Sequence, residues 1–244
     1  MRILAKVSYN GANYQGWQKQ PDAPSVQETI EKQISRILNR PISIYGAGRT
    51  DSGVHALGQT FHFDLLEDGV DLNRLLYSLN SLLPPDIRID KLEVVNNDFH
   101  ARYSAKGKIY SYAIDLEAKN PLEYQILYPC PYDIDVDKFV DVLTHFVGIH
   151  NFKNFSSKEN DEDNFVRQIF DINVKISGKR VDVTLHGNGF MRYMIRYIIG
   201  TSLEVARGKL TIEDVDALLD ASSIRNIVSW KAPASGLTLL EVVY

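Results

Sequence analysis

The segment with the highest density of reactive side chains is residues 46–56, which read GAGRTDSGVHA. A cation, a hydroxyl and a carboxylate follow one another there, at Arg49, Thr50 and Asp51. Because three glycines allow tight turns and a close approach of the backbone to a ligand, this loop could present the carboxylate to a substrate. The same composition also fits an ordinary hairpin turn in which Asp51 bonds nearby backbone, and composition alone favours that interpretation.

Several other chemistries do not fit these residues. A dinucleotide-binding fingerprint needs a third glycine where Asp51 stands, and a Walker A loop needs Lys-Ser/Thr where Val54 and His55 stand. Cys130 is the only cysteine, so we expect no disulfide within the chain, no thiolate metal cage and no zinc deaminase chemistry. Prolines flank Cys130 on both sides, which makes it an unpromising nucleophile.

Five helices are predicted from apolar residues at helical spacing and from N-cap residues. The first covers about residues 26–38 and starts with the capping box of Ser25 and Glu28. The others are predicted, in chain order, to follow Asp71, to run from Asp135 to a stop at Gly148, to lie within residues 191–207, and to follow Thr211.

Short runs rich in β-forming residues alternate with these helices. They cover residues 3–9, 42–45, 59–65, 87–95, 109–116, 172–176, 181–185 and 237–243, with a hairpin turn at 177–180. We therefore predict an α+β fold of two related ferredoxin-like or RRM-like halves, residues 1–105 with the Asp51 segment and residues 106–244. Their antiparallel sheets are expected to join into one continuous sheet flanked by helices, with an active-site cleft between the halves.

Charge and hydropathy limit the partners. The net charge of −4 argues weakly against nucleic acid, but binding depends on where the charges lie. Acidic residues gather at 159–163, which we expect to be a solvated loop, while two other stretches are locally basic. No apolar run is long enough to span a bilayer, and the first residues predict a strand instead of a signal peptide. We expect a cytoplasmic protein without a membrane partner.

Residues 48–56, GRTDSGVHA, resemble the signature of the tRNA pseudouridine synthase A family. Further motifs resemble those of the family in the same order: YNGANYQGWQ at 9–18, FHARYSA at 99–105, GFM and MIR at 189–191 and 194–196, and AP and GL at 232–233 and 236–237. The resemblance covers nearly the whole chain, and Ser52 stands where many members carry alanine. It implies an isomerase that forms pseudouridine at positions 38–40 of the tRNA anticodon stem-loop, as a homodimer and without metal or cofactor.

The resemblance also implies roles for individual residues. Asp51 is the essential carboxylate, whether it attacks the base at C6, attacks the ribose at C1′ or assists departure of the base. Arg196 is the cation expected near it, because burial alone would raise the pKa of a carboxyl group. Tyr110 stacks on the target uracil and could also relay the proton from C5, as a third catalytic residue. Leu237 packs beneath the base, and Arg49 helps to turn the nucleotide out of its stack.

Other residues have less definite roles. His55 either contacts the RNA backbone or makes a structural hydrogen bond. His150 and Phe152 are expected to pack. Contacts to RNA phosphates are expected from Arg102, Lys106, Lys108, Arg192 and Arg207.

Three alternative functions are open at this point. The same chemistry could act on another RNA, since related enzymes can change substrate. The chain could also be a tRNA-binding or tRNA-folding module without turnover, although such a module has no need of Asp51, Tyr110 and Arg196. A cofactor-dependent RNA methyltransferase is disfavoured, because the chain lacks a nucleotide-binding glycine loop.

Overall fold

The structure, a computed structural model, describes residues 1–66, 69–117, 121–157, 164–220 and 226–244. These residues form two units, Met1–Lys106 together with Thr238–Tyr244, and Gly107–Leu237. Each unit begins with a long strand that is followed by a helix and pairs antiparallel with a later strand. The predicted α+β class is confirmed. The acidic run at 159–163 lies outside the described residues.

The strands are β1 (Arg2–Tyr9), β2 (Tyr45–Gly46), β3 (His55–Asp64), β4 (Ile87–Val95), β5 (Gly107–Asp115), β6 (Tyr128–Pro129), β7 (Gly148–Asn151), β8 (Val166–Ser177), β9 (Arg180–Gly187) and β10 (Leu237–Val243). The α-helices are α1 (Val26–Ile37), α2 (Leu72–Leu82), α3 (Val136–Thr144), α4 (Met194–Ala206) and α5 (Ile212–Leu219). Short 3₁₀ turns cover Gly11–Asn13, Lys153–Phe155 and Ala234–Gly236.

The sheet of the first unit is centred on β1, which pairs antiparallel with both β3 and β4. The last strand of the chain, β10, adds parallel to β3 at Thr238 and Leu239. Fully buried apolar side chains on these strands and on the helices form the core, among them Ile3, Phe61 and Ile30. The burial of these large side chains is the main stabilising contribution and fixes the ends of the loop between β2 and β3.

Local capping confirms the predicted helix starts. The Ser25 hydroxyl accepts a hydrogen bond from the backbone N–H of Glu28 at 3.3 Å and begins α1. The carboxylate of Asp71 caps α2, and Thr211 with Asp214 forms a complete capping box at α5. Each cap satisfies an N–H group that the helix itself cannot, which is worth about 1 kcal/mol.

The second unit has β9 between β5 and β8, with antiparallel pairing on both sides, and β7 pairs antiparallel with β8. The predicted hairpin is confirmed, with Ser177 opposite Arg180 and Gly178 at φ +62°. Helix α4 is buried around nearly its whole circumference, and Arg196 is the one residue in it that is not buried. A helix of this kind packs inside a core.

Two predictions about secondary structure are wrong. Residues 42–44 are not a strand, because side chains of α1 bind their backbone: the Ser35 hydroxyl accepts from the N–H of Ile42, and the Glu31 carboxylate accepts from that of Ile44. Helix α3 ends at Thr144, and Gly148 does not stop it. Gly148 instead adopts φ +116° and opens β7.

Candidate active site

Asp51 lies half-buried in the Asp51 loop, residues 47–54, which connects β2 to β3. The segment after β1 holds this loop on both sides of the carboxylate. The N–H of Trp17 donates to the Thr50 carbonyl at 3.1 Å, and the N–H of Gly53 donates to the Tyr14 carbonyl at 3.3 Å. Asp51 is therefore carried by a loop whose backbone is held at the residue before it and again two residues after it.

A third contact comes from β1 itself. The hydroxyls of Tyr9 and Thr50 lie 2.8 Å apart, and both side chains are buried. Burial raises the pKa of Tyr9, so its hydroxyl stays protonated and able to donate. Gly16 allows the close approach: it has φ +92°, and a Cβ there would lie 2.5 Å from the Thr50 carbonyl oxygen.

His55 and Arg49 flank the Asp51 loop in different ways. His55 opens β3 and is buried, and its Nδ1 accepts a hydrogen bond of 3.1 Å from the N–H of Gly11. Arg49 is exposed, and its Nε donates to the Gln18 side chain at 3.1 Å. His55 therefore connects the end of the loop to the segment after β1, while Arg49 presents a cation on the surface.

In the second unit, Tyr110 lies on β5 and is buried. Its ring meets that of Phe190 edge to face, with 5.4 Å between centroids and 82° between planes. This geometry is favourable for aromatic pairs and fixes the orientation of the Tyr110 ring.

Arg196 and Tyr112 anchor the segment that leads to Leu237. The Nε of Arg196 donates to the Ala232 carbonyl at 2.7 Å, and the Ala232 N–H donates back to the Arg196 carbonyl at 2.9 Å. The Tyr112 hydroxyl donates to the Pro233 carbonyl at 2.8 Å. Burial raises the pKa of Tyr112 and the nearby Arg196 opposes that rise, so the two side chains are electrostatically coupled.

The predicted phosphate ligands differ in their surroundings. Arg102 is exposed, with its guanidinium 5.7 Å from the centroid of the Tyr103 ring. The guanidinium of Arg207 pairs with Glu204, a carboxylate that Lys209 also contacts, and lies 3.6 Å from the centroid of the Tyr132 ring. The side chains of Lys106 and Arg192 are exposed, and that of Lys108 is half-buried.

The packing role expected of Phe152 and His150 agrees with their contacts. Phe152 is fully buried, and the His150 ring meets it edge to face with centroids 5.9 Å apart. Cys130 is also buried, which raises the pKa of its thiol and disfavours the nucleophilic thiolate. Within the described ranges, no three His, Cys, Asp or Glu side chains are arranged to hold a metal, and no helix has the length and apolarity to cross a membrane.

No role was predicted from the sequence for Tyr9, Tyr14 and Trp17, which were named only as part of the motif at 9–18. In the structure they hold the Asp51 loop through the contacts given above. Sequence reasoning also missed that Arg192, Arg196 and Lys231 all lie around the ring of Tyr193, although Arg192 was a candidate phosphate ligand. The available signal was the unusual density of aromatic and glycine residues at 9–18, which no periodic strand or helix explains.

Comparison with known proteins identifies the family of this chain. Residues 5–104 and 142–244 match the tRNA pseudouridine synthase family. The tRNA pseudouridine synthase A of Acetivibrio thermocellus is 38% identical over 239 residues, covering 98% of this chain and 97% of that protein. The protein of the same name from Streptococcus sanguinis is 38% identical over 247 residues, covering 100% and 98%.

Among solved structures, the chain is distantly similar to a chain in the crystal structure of a Cbf5-Nop10-Gar1 complex. The TM-score is 0.41 and the identity 14%, covering 98% of this chain and 58% of that chain. The family match and the two identities, which extend over nearly the full length, confirm the resemblance found in the sequence. The chain belongs to the tRNA pseudouridine synthase family and is an isomerase.

Proposed function

We propose that the protein converts uridine to pseudouridine in the anticodon stem-loop of tRNA, with Asp51 as its catalytic carboxylate. The observation that carries the proposal is the fixed backbone on both sides of Asp51, in a chain that matches the family at both ends. A carboxylate that must act on one atom of a flipped nucleotide has to be positioned before the substrate arrives. The hydrogen bonds of Tyr9, Tyr14 and Trp17 provide that positioning.

The reaction is an isomerisation, so no atom is gained or lost. The bond from C1′ of the ribose to N1 of uracil breaks, and a bond from C1′ to C5 forms. The hydrogen on C5 leaves as a proton, and N1 takes up a proton. Asp51 supplies the carboxylate that the bond exchange needs, and the balance requires no redox partner, metal or cofactor.

Arg196 and Tyr110 complete the proposed catalytic set. Arg196 contributes a positive charge in a fixed position, because its Nε donates to the Ala232 carbonyl. Tyr110 contributes a ring whose orientation is set by Phe190 and which stacks on the target uracil. Leu237 packs beneath the base, and its position follows from the anchored segment before it.

Substrate binding is assigned to exposed cations. Arg49 helps to turn the target nucleotide out of its stack, which costs a few kcal/mol that backbone contacts and stacking must offset. Arg102 contacts an RNA phosphate from the first unit. His55 holds the Asp51 loop in its binding conformation through its hydrogen bond with Gly11.

We further propose that the enzyme works as a homodimer in the cytoplasm. Sedimentation of the purified protein tests whether it forms a dimer.

The direct test is tritium release from tRNA labelled at C5 of uracil, since pseudouridine formation must discharge that hydrogen. Wild type and the exposed control Asp22→Asn are expected to release tritium, whereas Asp51→Asn binds the same tRNA without release. Release by Asp51→Asn at the wild-type rate would overturn the catalytic role of Asp51.

A second arm identifies the RNA. If wild type releases tritium only from labelled total RNA, the chemistry stands and the substrate is another RNA. If it binds tRNA and releases tritium from neither preparation, the protein is a binding module. Transcripts in which the uridines of the anticodon stem-loop are replaced by cytidines are expected to bind but release no tritium.

A further inference from the structure

Three cations converge on one aromatic ring in the second unit. The Nζ of Lys231 lies 4.2 Å from the centroid of the Tyr193 ring, the guanidinium carbon of Arg192 lies 4.8 Å from it, and that of Arg196 lies 5.4 Å from it. Arg192 also donates to the Tyr193 hydroxyl at 2.9 Å. We call these four residues the Tyr193 cluster.

Two of the three cations have no compensating acid among the residues that the structure describes. Across the part of the chain that the structure describes, no carboxylate lies within ion-pair distance of Arg192 or Lys231, and both residues are exposed. A tyrosine ring attracts a cation but does not neutralise it. Like charges held around one ring therefore repel each other in the free protein, and an anion that binds among them relieves the repulsion.

The backbone supports the same interpretation. Tyr193 has φ +65° and ψ 0°, a left-handed conformation that is unfavourable for a residue with a bulky side chain. Such conformations persist when surrounding contacts impose them, and they concentrate at ligand sites. Here the conformation places the ring where all three cations reach it.

We infer that Arg192, Tyr193 and Lys231 form a phosphodiester-binding site beside Arg196. This inference rests on the proposed function, because an RNA substrate is what brings a phosphodiester to the site. Arginine matches two phosphate oxygens with a planar pair of N–H groups, and lysine adds a point charge. The site binds a phosphate of the tRNA backbone, and the Tyr193 ring positions Arg192 and Lys231 for that contact.

The first test measures tRNA binding as a function of salt, with Arg192→Gln, Lys231→Gln and the double variant, each in an Asp51→Asn background that prevents turnover. Each single variant is expected to bind about threefold to tenfold more weakly near physiological salt, and to lower the slope of log affinity against log salt by about 0.9. Lys175→Gln, an exposed lysine on β8, is the matched control and is expected to leave both quantities unchanged.

Stability separates this role from a merely structural one. Removing one of several mutually repelling cations is expected to leave the melting temperature of the free protein unchanged or to raise it. A residue needed for packing would lower the melting temperature along with the affinity. A lower melting temperature in both single variants, with an unchanged salt slope, would overturn the inference.

The second test replaces single phosphates of an anticodon stem-loop RNA by neutral methylphosphonates. Replacing one particular phosphate near the target uridine is expected to weaken binding to the Asp51→Asn protein. The same replacement is expected to have no further effect on a protein in which Arg192 and Lys231 are also substituted. Equal losses in both proteins at every linkage would overturn the inference. If wild type forms pseudouridine in tRNA while these variants behave like Lys175→Gln, the inference fails and the proposed function stands. If wild type neither binds nor modifies tRNA, the proposed function itself fails.

Discussion

The phenolic hydroxyl of Tyr9 lies 2.8 Å from the hydroxyl of Thr50, the residue directly before Asp51. Tyr9 is the last residue of β1, a strand that pairs on both sides, with β3 and with β4. The contact therefore links a strand inside that sheet to the Asp51 loop. Both side chains are buried, so bulk water cannot take the place of either hydrogen-bond partner.

Tyr9→Phe keeps the ring and removes this contact. We expect the free energy of unfolding to fall by about 1–2 kcal/mol, because the Thr50 hydroxyl stays buried after losing its partner. We expect turnover to fall about tenfold with little change in tRNA affinity, since the loop carries the carboxylate and not the main RNA contacts. Tyr77→Phe, at an exposed position on α2, is the control. Wild-type turnover in Tyr9→Phe would mean that the other loop contacts suffice.

Gly200→Ala tests the packing of α4. At an exposed helix position this change would stabilise the helix by about 1 kcal/mol. A Cβ at Gly200, however, would lie 1.9 Å from the carbonyl oxygen of Trp230, so the backbone must move. We expect a net loss of about 1–3 kcal/mol in urea unfolding, and weaker tRNA binding because Lys231 follows Trp230. Ser81→Ala on the exposed face of α2 is expected to change stability by less than about 0.5 kcal/mol.

The parts of the fold that were predicted correctly depend on neighbours in sequence. The starts at Ser25, Asp71, Asp135 and Thr211 are each set by a side chain that accepts from an N–H two or three residues later. The failure at residues 42–44 has the opposite cause. Their N–H groups bind side chains of α1 as much as 13 residues away, and no periodic pattern can indicate that.

The same distinction applies to the candidate site. The Asp51 loop could be found from its own residues, because glycines and a carboxylate crowd one segment and resemble a family signature. The contact of Tyr9 with Thr50 spans 41 residues and follows from the pairing of β1 with β3. The Tyr193 cluster combines Arg192 and Tyr193, which directly precede α4, with Arg196 in α4 and Lys231 in the segment before β10. Only the fold brings Lys231 to the others.

Thr201→Val tests an unexplained polar group in α4. Thr201 is fully buried, and its hydroxyl has no hydrogen-bond partner among the described residues. Valine has nearly the same shape, so the change should remove the cost of burying a hydroxyl and stabilise the protein by about 1 kcal/mol. Thr201→Ser keeps the hydroxyl, removes a methyl group and should destabilise by about 1 kcal/mol. A loss of stability in Thr201→Val, measured by urea unfolding, would show that the hydroxyl is paired, for example with an internal water.

His62 gives the first unit a dependence on pH. Its side chain is 2% exposed, and its Nδ1 accepts a hydrogen bond of 3.2 Å from the N–H of Ala101. Burial, together with the nearby His100 and Arg2, lowers the pKa of His62 from its usual 6.5 to about 4, while Asp64 opposes the shift only in part. The neutral ring is therefore the form that the folded protein accommodates.

The sign of the effect follows from proton binding. Between about pH 6.5 and pH 4 the unfolded chain carries a proton on His62 and the folded protein does not, so stability falls as the pH is lowered through this window. The full loss is about 3 kcal/mol, because one pKa unit corresponds to about 1.4 kcal/mol. Urea unfolding between these pH values should therefore show a steep slope for wild type and for the control His150→Gln, whose imidazole contacts a backbone carbonyl. The slope should be clearly smaller for His62→Gln, and equal slopes in all three proteins would exclude His62 as the responsible group.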